Sequence, residues 1–249
     1  MQEMQKKPKT SKKNRTEFMH GLRDGIPIAL GYLSVSFSIG IMAVTSGLTV
    51  FQGALMSLTN VTSAGQFAGI QVIATGGVIL ELILTQFIIN LRYALMSLSL
   101  SQKLSEEVTV RQRFVIAFAN TDEIFAVAMG HARSLTFPYM LGLQLLPILG
   151  WTGGTALGAI AGQILPSSLG NALGVALYGM FIAIVVPAAR RLRPVLCVAV
   201  LAAVFSCILY YVPLFAGIST GTSIIVCTVA AALVGAWRFP VADGAEEEE

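Results

Sequence analysis

Four charged residues lie inside apolar stretches of this sequence that are long enough to sit in a bilayer: Glu81, Arg92, Asp122 and Glu123. A charged side chain near the centre of a bilayer costs about 2.5–3.5 kcal/mol even on lenient scales, so each one needs a partner or a water-filled cavity. Arg92 offers a cation for a carboxylate, and the two adjacent carboxylates offer acceptors for an ammonium group. Together these residue types suit a zwitterionic solute.

Neutral side chains near these charges would complete such a site. Gln66 and Asn90 supply uncharged hydrogen bonds, and Phe67 or Phe125 supplies part of an apolar pocket for an aliphatic side chain. No nucleotide-binding loop is present, so concentrative transport would have to draw on an ion gradient. The carboxylate pair at 122 and 123 is the best candidate to carry a proton. This assignment requires the second, third and fourth spans to meet.

The composition excludes a soluble globular protein. Of 249 residues, 55% are hydrophobic and 12% charged, and the mean hydropathy is +0.76, whereas about 25% of residues are charged in an average soluble domain. Such a chain must lie in lipid as helices, whose backbone groups are satisfied internally. The predicted fold is an all-α, polytopic helical membrane protein.

Apolar runs and the breakers between them place eight candidate spans at 26–47, 49–74, 76–100, 114–132, 137–165, 170–189, 194–212 and 217–237. Seven of the sixteen Lys and Arg residues precede the first span, so a basic arm over 1–24 is predicted to be cytoplasmic. A single transmembrane domain over 25–239 follows. Eight crossings return the acidic tail over 240–249 to the cytoplasmic side.

This eight-crossing topology leaves three basic residues outside: Lys103, Arg111 and Arg113. A re-entrant hairpin at 49–74 would bring them inside, but it would place the denser basic cluster at 190–193 outside. Eight crossings are therefore the better prediction under the positive-inside rule.

Two spans carry patterns typical of helices that stop and restart within the membrane. Ser63 with Gln66, and Asn120 with Glu123, have the spacing of a capping box in the middle of predicted spans two and four. A half-helix amino end presents free N–H groups, which suit a carboxylate. The first six spans also divide into two blocks of three, 26–100 and 114–193, and an odd number of crossings per block predicts inverted repeats.

Four glycines in span five recur every four residues and form one bare helix face: Gly150, Gly154, Gly158 and Gly162. Small residues at this spacing let another helix approach closely. Two occupants fit the pattern, a neighbouring helix of the same chain or a helix of a partner subunit. The face is therefore a candidate partner interface.

Motifs for catalysis or metal binding are weak in this chain. The run at 217–221 matches a nucleophile elbow, but that motif needs a strand-to-helix turn and this run opens an apolar helix. His20 lies in the arm and His131 near the end of span four, so no metal pair is visible. The sequence predicts no enzyme, no cofactor and no metal site. The basic arm is predicted to meet lipid headgroups rather than nucleic acid.

Two elements are distinctive together: Ala64-Gly65-Gln66-Phe67-Ala68 and, later in the chain, Asn90-Leu91-Arg92-Tyr93. With Thr121-Asp122-Glu123 at the head of span four, they resemble the AzlC family of branched-chain amino acid permeases, and the similarity extends over about residues 18–240. The resemblance implies an inner-membrane exporter of leucine, isoleucine or valine, with methionine as a further candidate. It also implies a small membrane partner of the AzlD type.

Two other classes of membrane protein compete with a transporter. A pore would need a continuous polar lining, whereas the polar residues here cluster at one depth. A structural membrane subunit without transport activity would tolerate neutral replacements at Arg92 and Asp122.

Overall fold

The computed structural model describes residues 7–164, 179, 182, 185–215 and 217–240, and within these ranges the chain is helical and has no β-strand. Five of the described helices are long and apolar enough to cross a membrane. The prediction of an all-α, polytopic helical membrane protein is confirmed. Predicted span 170–189 lies largely outside the described residues.

In chain order the helices are α1 (Lys7–Thr45), α2 (Val50–Thr59), α3 (Ser63–Ala74), α4 (Ile79–Lys103), α5 (Val110–Phe118), α6 (Asp122–Gly130), α7 (Phe137–Ile164), α8 (Arg193–Tyr211) and α9 (Thr220–Arg238). The long helices match predicted spans one, three, five, seven and eight. Spans two and four are each divided into two short helices. The chain forms two compact units, 1–66 with 90–174, and 67–89 with 175–249.

Helix α1 is longer than the predicted first span because it includes the described part of the basic arm. Its 39 residues extend about 58 Å at 1.5 Å per residue, nearly twice the thickness of a bilayer core. The arm, from Lys7 onward, is thus a helical continuation of the first span.

Helices α1 and α7 run parallel in backbone contact. Gly21 lies against the Tyr139 carbonyl at one end, and Gly40 lies against the Thr155 carbonyl nearer the other. The predicted glycine face of α7 belongs to this packing: Gly150, Gly154, Gly158 and Gly162 face the backbone of Ala29, Leu33, Phe37 and Ile41, respectively. The partner-interface assignment is therefore wrong, because a helix of the same chain already fills the face.

Predicted span four is a helical hairpin with both ends on one side. Leu104, just after α4, pairs with Leu135, just before α7. Ser105 N donates to Leu135 O at 2.8 Å, and Leu135 N donates to Lys103 O at 3.0 Å. Helices α5 and α6 lie between these paired segments. The chain therefore leaves and returns to the same end of α4.

Side-chain contacts show how the hairpin lies along α4. Asn120, at its tip, donates to Ser97 Oγ at 3.0 Å, nearly two turns before α4 ends. The ammonium of Lys103 donates to the carbonyl of Met129, near the end of α6. The prediction that 114–132 crosses the membrane is therefore wrong, because apolar length alone does not distinguish one crossing from two half-crossings.

The two broken-helix pairs begin with the same capping box. Thr49 caps α2 and Thr109 caps α5, and each hydroxyl accepts from the backbone N–H of the glutamine three residues later. That glutamine accepts in return from the threonine backbone N–H, at 2.8 Å in the first box and 2.9 Å in the second. The sequence is Thr-Val-x-Gln in both places. Each box opens a short helix, a break, a second short helix and a long helix.

These shared elements define two repeats, 49–103 and 109–164. The end of α4 lies beside the start of α7. From there α5 runs back along α4. It also lies beside α7, where Gln144 Nε2 donates to Ile116 O at 2.6 Å. The two long helices therefore run in opposite directions, as inverted repeats require. The predicted blocks, 26–100 and 114–193, have the wrong boundaries because each broken pair was counted as one crossing.

The second unit contains the fourth predicted intramembrane charge. Glu81, in the first turn of α4, accepts from Gly221 N at 2.6 Å and from Thr222 N at 3.3 Å. The partial positive charge of the α9 amino end thereby compensates this carboxylate. Gly235 of α9 packs against Val198 of α8, so these two helices run antiparallel.

Candidate functional site

Two helix breaks in the first unit form the frame of the candidate site. The first separates α2, which ends at Thr59, from α3, which begins at Ser63. The second separates α5, which ends at Phe118, from α6, which begins at Asp122. The predicted restarts in spans two and four are therefore confirmed.

The caps of the restarting helices are displaced by one residue from the predicted positions. Gly65 N donates to Thr62 Oγ1 at 3.4 Å, and Ile124 N donates to Thr121 Oγ1 at 3.5 Å. The capping-box spacing in the sequence predicts Ser63 and Asn120 as the capping residues, each one position away from the residue that caps the helix in the structure. The pattern fails here because several consecutive polar residues fit the same spacing, and the buried Asn120 amide is used by α4 instead.

Arg92 of α4 lies at the tip of the α5–α6 hairpin. Its Nη1 is 2.8 Å from Asp122 Oδ2, and both side chains are about half exposed, at 47% and 45%. Its Nη2 donates to the Tyr93 hydroxyl at 3.0 Å, and the guanidinium carbon lies 4.7 Å from the centre of the Tyr93 ring. A half-exposed ion pair remains open to exchange with an incoming charged group.

Two tyrosine hydroxyls connect these charges to the two caps. The Tyr93 hydroxyl donates to Thr62 Oγ1 at 3.1 Å. On the other side, the Tyr32 hydroxyl of α1 donates to Glu123 Oε2 at 2.5 Å and lies 2.5 Å from Thr121 Oγ1. A continuous series of polar contacts thus runs from the first helix break to the second.

Gln66 does not line this open region. It is fully buried, its Oε1 accepts from Trp151 Nε1 at 3.0 Å, and its amide exchanges hydrogen bonds with Ser57. Tyr32 packs edge-on against the same tryptophan, with ring centres 5.4 Å apart. Gln66 therefore holds neighbouring helices together through Trp151 and Ser57, and its assignment as a direct solute ligand is corrected.

The remaining predicted residues are distributed around these charges. Asn90 lies half-buried on α4, and Phe125 lies half-buried one turn into α6. Phe67 follows Gln66 on α3 and belongs to the second unit. The structure therefore brings Arg92 and Asp122 together, with Asn90 and Phe125 on the same two helices and Glu123 next to Asp122 in the chain.

The charge balance of the site leaves one carboxylate without a cation. Arg92 and Asp122 form the ion pair found within the described part of the chain. Glu123 is exposed, and its carboxylate accepts a hydrogen bond from the Tyr32 hydroxyl. An anionic group at membrane depth needs water, a proton or an ammonium ion beside it.

Sequence reasoning missed the aromatic and hydroxyl groups that organise these charges. Tyr32, Tyr93 and Trp151 each carry a polar atom within a predicted span, and such an atom usually finds a partner when it is buried. That rule identifies candidates but does not pair them, because the partners of Tyr32 and Trp151 lie 89 and 85 residues away in the chain.

Comparisons with known proteins identify the family of this chain. Residues 27–165 match the family model described as AzlC protein. The chain is 34% identical over 172 residues to an uncharacterized membrane protein of Archaeoglobus fulgidus, covering 68% of this chain and 75% of that relative. It is 28% identical over 215 residues to inner membrane protein YgaZ of Escherichia coli, covering 82% and 87%. No solved structure matches. The chain belongs to the AzlC family of membrane permeases.

Proposed function

We propose that this protein is a secondary transporter that exports branched-chain amino acids across the inner membrane, coupled to protons. Leucine, isoleucine and valine are the proposed substrates, with methionine as a further candidate. The observation that carries the proposal is the half-exposed Arg92–Asp122 pair, which lies between two helix breaks. Secondary transporters commonly bind solutes where broken helices meet.

The arrangement of charges suits an amino acid in its zwitterionic form. Once the Arg92–Asp122 ion pair opens, the planar guanidinium of Arg92 can bind the carboxylate of the solute through two parallel hydrogen bonds. Glu123 then offers an acceptor to the ammonium group. Phe125 supplies apolar surface on the same helix. One solute would thus satisfy both charges of the site.

Proton coupling is assigned to Glu123 rather than shared equally with Asp122. The Arg92 guanidinium already engages Asp122, with Nη1 at 2.8 Å from Oδ2. Glu123 accepts from a neutral hydroxyl, so a proton or a substrate ammonium can compete for its oxygens. Such competition would produce antiport of amino acid against protons.

A small membrane subunit of the AzlD type is the proposed partner. The glycine face of α7 cannot receive it, because α1 occupies that face. The partner must therefore bind another surface of the chain, and transport should be measured with and without it.

Transport of labelled leucine in proteoliposomes tests the proposed function. Arg92→Gln should reduce the transport rate about ten- to a hundredfold, because hydrogen bonds to a charged group contribute about 1.5–3 kcal/mol. Arg92→Lys should remain well below wild type, because lysine keeps the charge but loses the planar fork. Arg111→Gln, an exposed basic residue at the start of α5, is the matched control and should transport normally. A wild-type rate in Arg92→Gln would instead support a structural subunit.

A further inference from the structure

We propose that Tyr93 is a positioning residue that holds the Arg92 guanidinium ready for a carboxylate and ties it to the first helix break. This inference rests on the proposed function, since it assigns a role to a neighbour of the same cation. Tyr93 touches the charged group and the cap of α3 at once.

Three contacts of Tyr93 restrain different motions of its neighbours. The ring lies below the guanidinium, with 4.7 Å between the guanidinium carbon and the ring centre. The hydroxyl oxygen accepts from Arg92 Nη2 at 3.0 Å. The single hydroxyl hydrogen is donated to Thr62 Oγ1 at 3.1 Å. The ring fixes the plane of the guanidinium, and the hydroxyl fixes its rotation within that plane.

This restraint matters because Arg92 is exposed and its side chain is long. A free arginine side chain loses up to about 2 kcal/mol of rotamer entropy when it is immobilised. Holding the planar fork before the solute arrives reduces that loss at the binding step. Removing the hydroxyl should therefore weaken solute binding without altering the chemistry of the guanidinium.

The Thr62 contact connects this restraint to the first break. Thr62 is nearly buried and caps α3 through Gly65 N. The start of α3 and the guanidinium of Arg92 therefore share one hydroxyl, and a shift of α3 changes how Arg92 is held. Tyr32 makes the corresponding contact with Thr121 at the second break, but its charged partner is Glu123.

Kinetics of leucine transport in proteoliposomes test the assignment. Tyr93→Phe keeps the ring but removes both hydroxyl contacts, and the apparent KM should rise about five- to tenfold while the maximal rate stays within about twofold. Thr62→Val removes the acceptor and should raise KM, whereas Thr62→Ser keeps the hydroxyl and should resemble wild type. The effects of Tyr93→Phe and Thr62→Val on KM should be less than additive in the double variant, because both changes remove the shared contact between Tyr93 and Thr62.

A matched control and a second measurement separate positioning from general stability. Thr59→Val removes an exposed hydroxyl that donates to Leu55 O of its own helix and should leave KM unchanged. An unchanged KM in Tyr93→Phe, with only a lower melting temperature, would overturn the inference even if Arg92→Gln still reduces the transport rate as expected. If Tyr93→Phe cannot be purified, a wild-type KM in Thr62→Val overturns it equally. Full transport by Arg92→Gln would refute the proposed function itself.

Discussion

Leu104 and Leu135 pair across the ends of two long helices that run in opposite directions, so the hairpin between them begins and ends beside the same end of α4. In the second unit, the contact of Glu81 with Gly221 N places the starts of α4 and α9 on a common side. Within the first unit, the pairing of Leu104 with Leu135 places Lys103, Arg111 and Arg113, the three basic residues left outside by eight crossings, at the same end of the hairpin.

The first prediction is a topology with six crossings and two re-entrant hairpins, α2–α3 and α5–α6. Given the crossing predicted for 170–189, which lies largely outside the described residues, both termini are expected in the cytoplasm under the positive-inside rule. In a cysteine-free background, Glu107→Cys should react with cytoplasmic reagents and Thr75→Cys with periplasmic reagents. Eight crossings predict the reverse at both positions, so the reversed labelling pattern would contradict the hairpins.

The second prediction concerns the backbone contact between α1 and α7. Gly158→Ala should lower the free energy of unfolding by about 1–3 kcal/mol, because the added methyl group meets the carbonyl of Phe37. Gly153→Ala is the matched control on the same helix, since nothing lies within 4 Å of its added methyl group. Thermal unfolding in detergent measures both. Equal melting temperatures for the two variants would show that the two helices do not touch here.

The third prediction concerns the carboxylate that caps α9. Glu81→Gln removes the charge beside the helix amino end and should cost up to about 2 kcal/mol of stability. Gly221→Ala should also destabilise, because its methyl group would meet Glu81 Oε1 and Thr85 Oγ1. Gly217→Ala, with open space around it, serves as the control. Unchanged stability in Glu81→Gln would mean that the contact does not hold α9 in place.

The fourth prediction separates the two carboxylates at the head of α6. Glu123→Gln should abolish counterflow driven by an imposed pH gradient while substrate exchange at equal pH continues. Asp122→Asn should keep its response to pH, because Asp122 serves Arg92. Fluorescence of a trapped pH indicator in proteoliposomes reports the coupled proton movement. A wild-type response in Glu123→Gln would remove this residue from the proton path.

The sequence predicted helix identity better than helix topology. Apolar length identified the membrane helices, and polar residues inside spans two and four identified where those helices restart. Length could not show that α5 and α6 turn back, because two half-crossings have the same hydropathy as one full crossing. Under the positive-inside rule, Lys103, Arg111 and Arg113 favour a hairpin that returns to the cytoplasmic side. The denser basic cluster at 190–193 favours eight crossings, but only if no other predicted span is a hairpin.

The candidate site shows a similar division between residue types and their pairing. Buried charge indicated that Arg92 and Asp122 need partners, and the structure pairs them with each other. The role of Gln66 could not be read from its type, since a buried amide can hold a solute or a neighbouring helix equally well. Only the contact with Trp151, far away in the chain, decides between them.

The packing of α1 on α7 has a mechanical consequence. Where the carbonyl of one helix fills the space that a side chain would take on the other, as at Gly40 and Gly158, the two helices cannot slide past each other without collision. They must move as a rigid body. Asp122 and Glu123 at the head of α6 instead meet their neighbours through an exchangeable ion pair and a hydroxyl, so we expect movement during transport there rather than between α1 and α7.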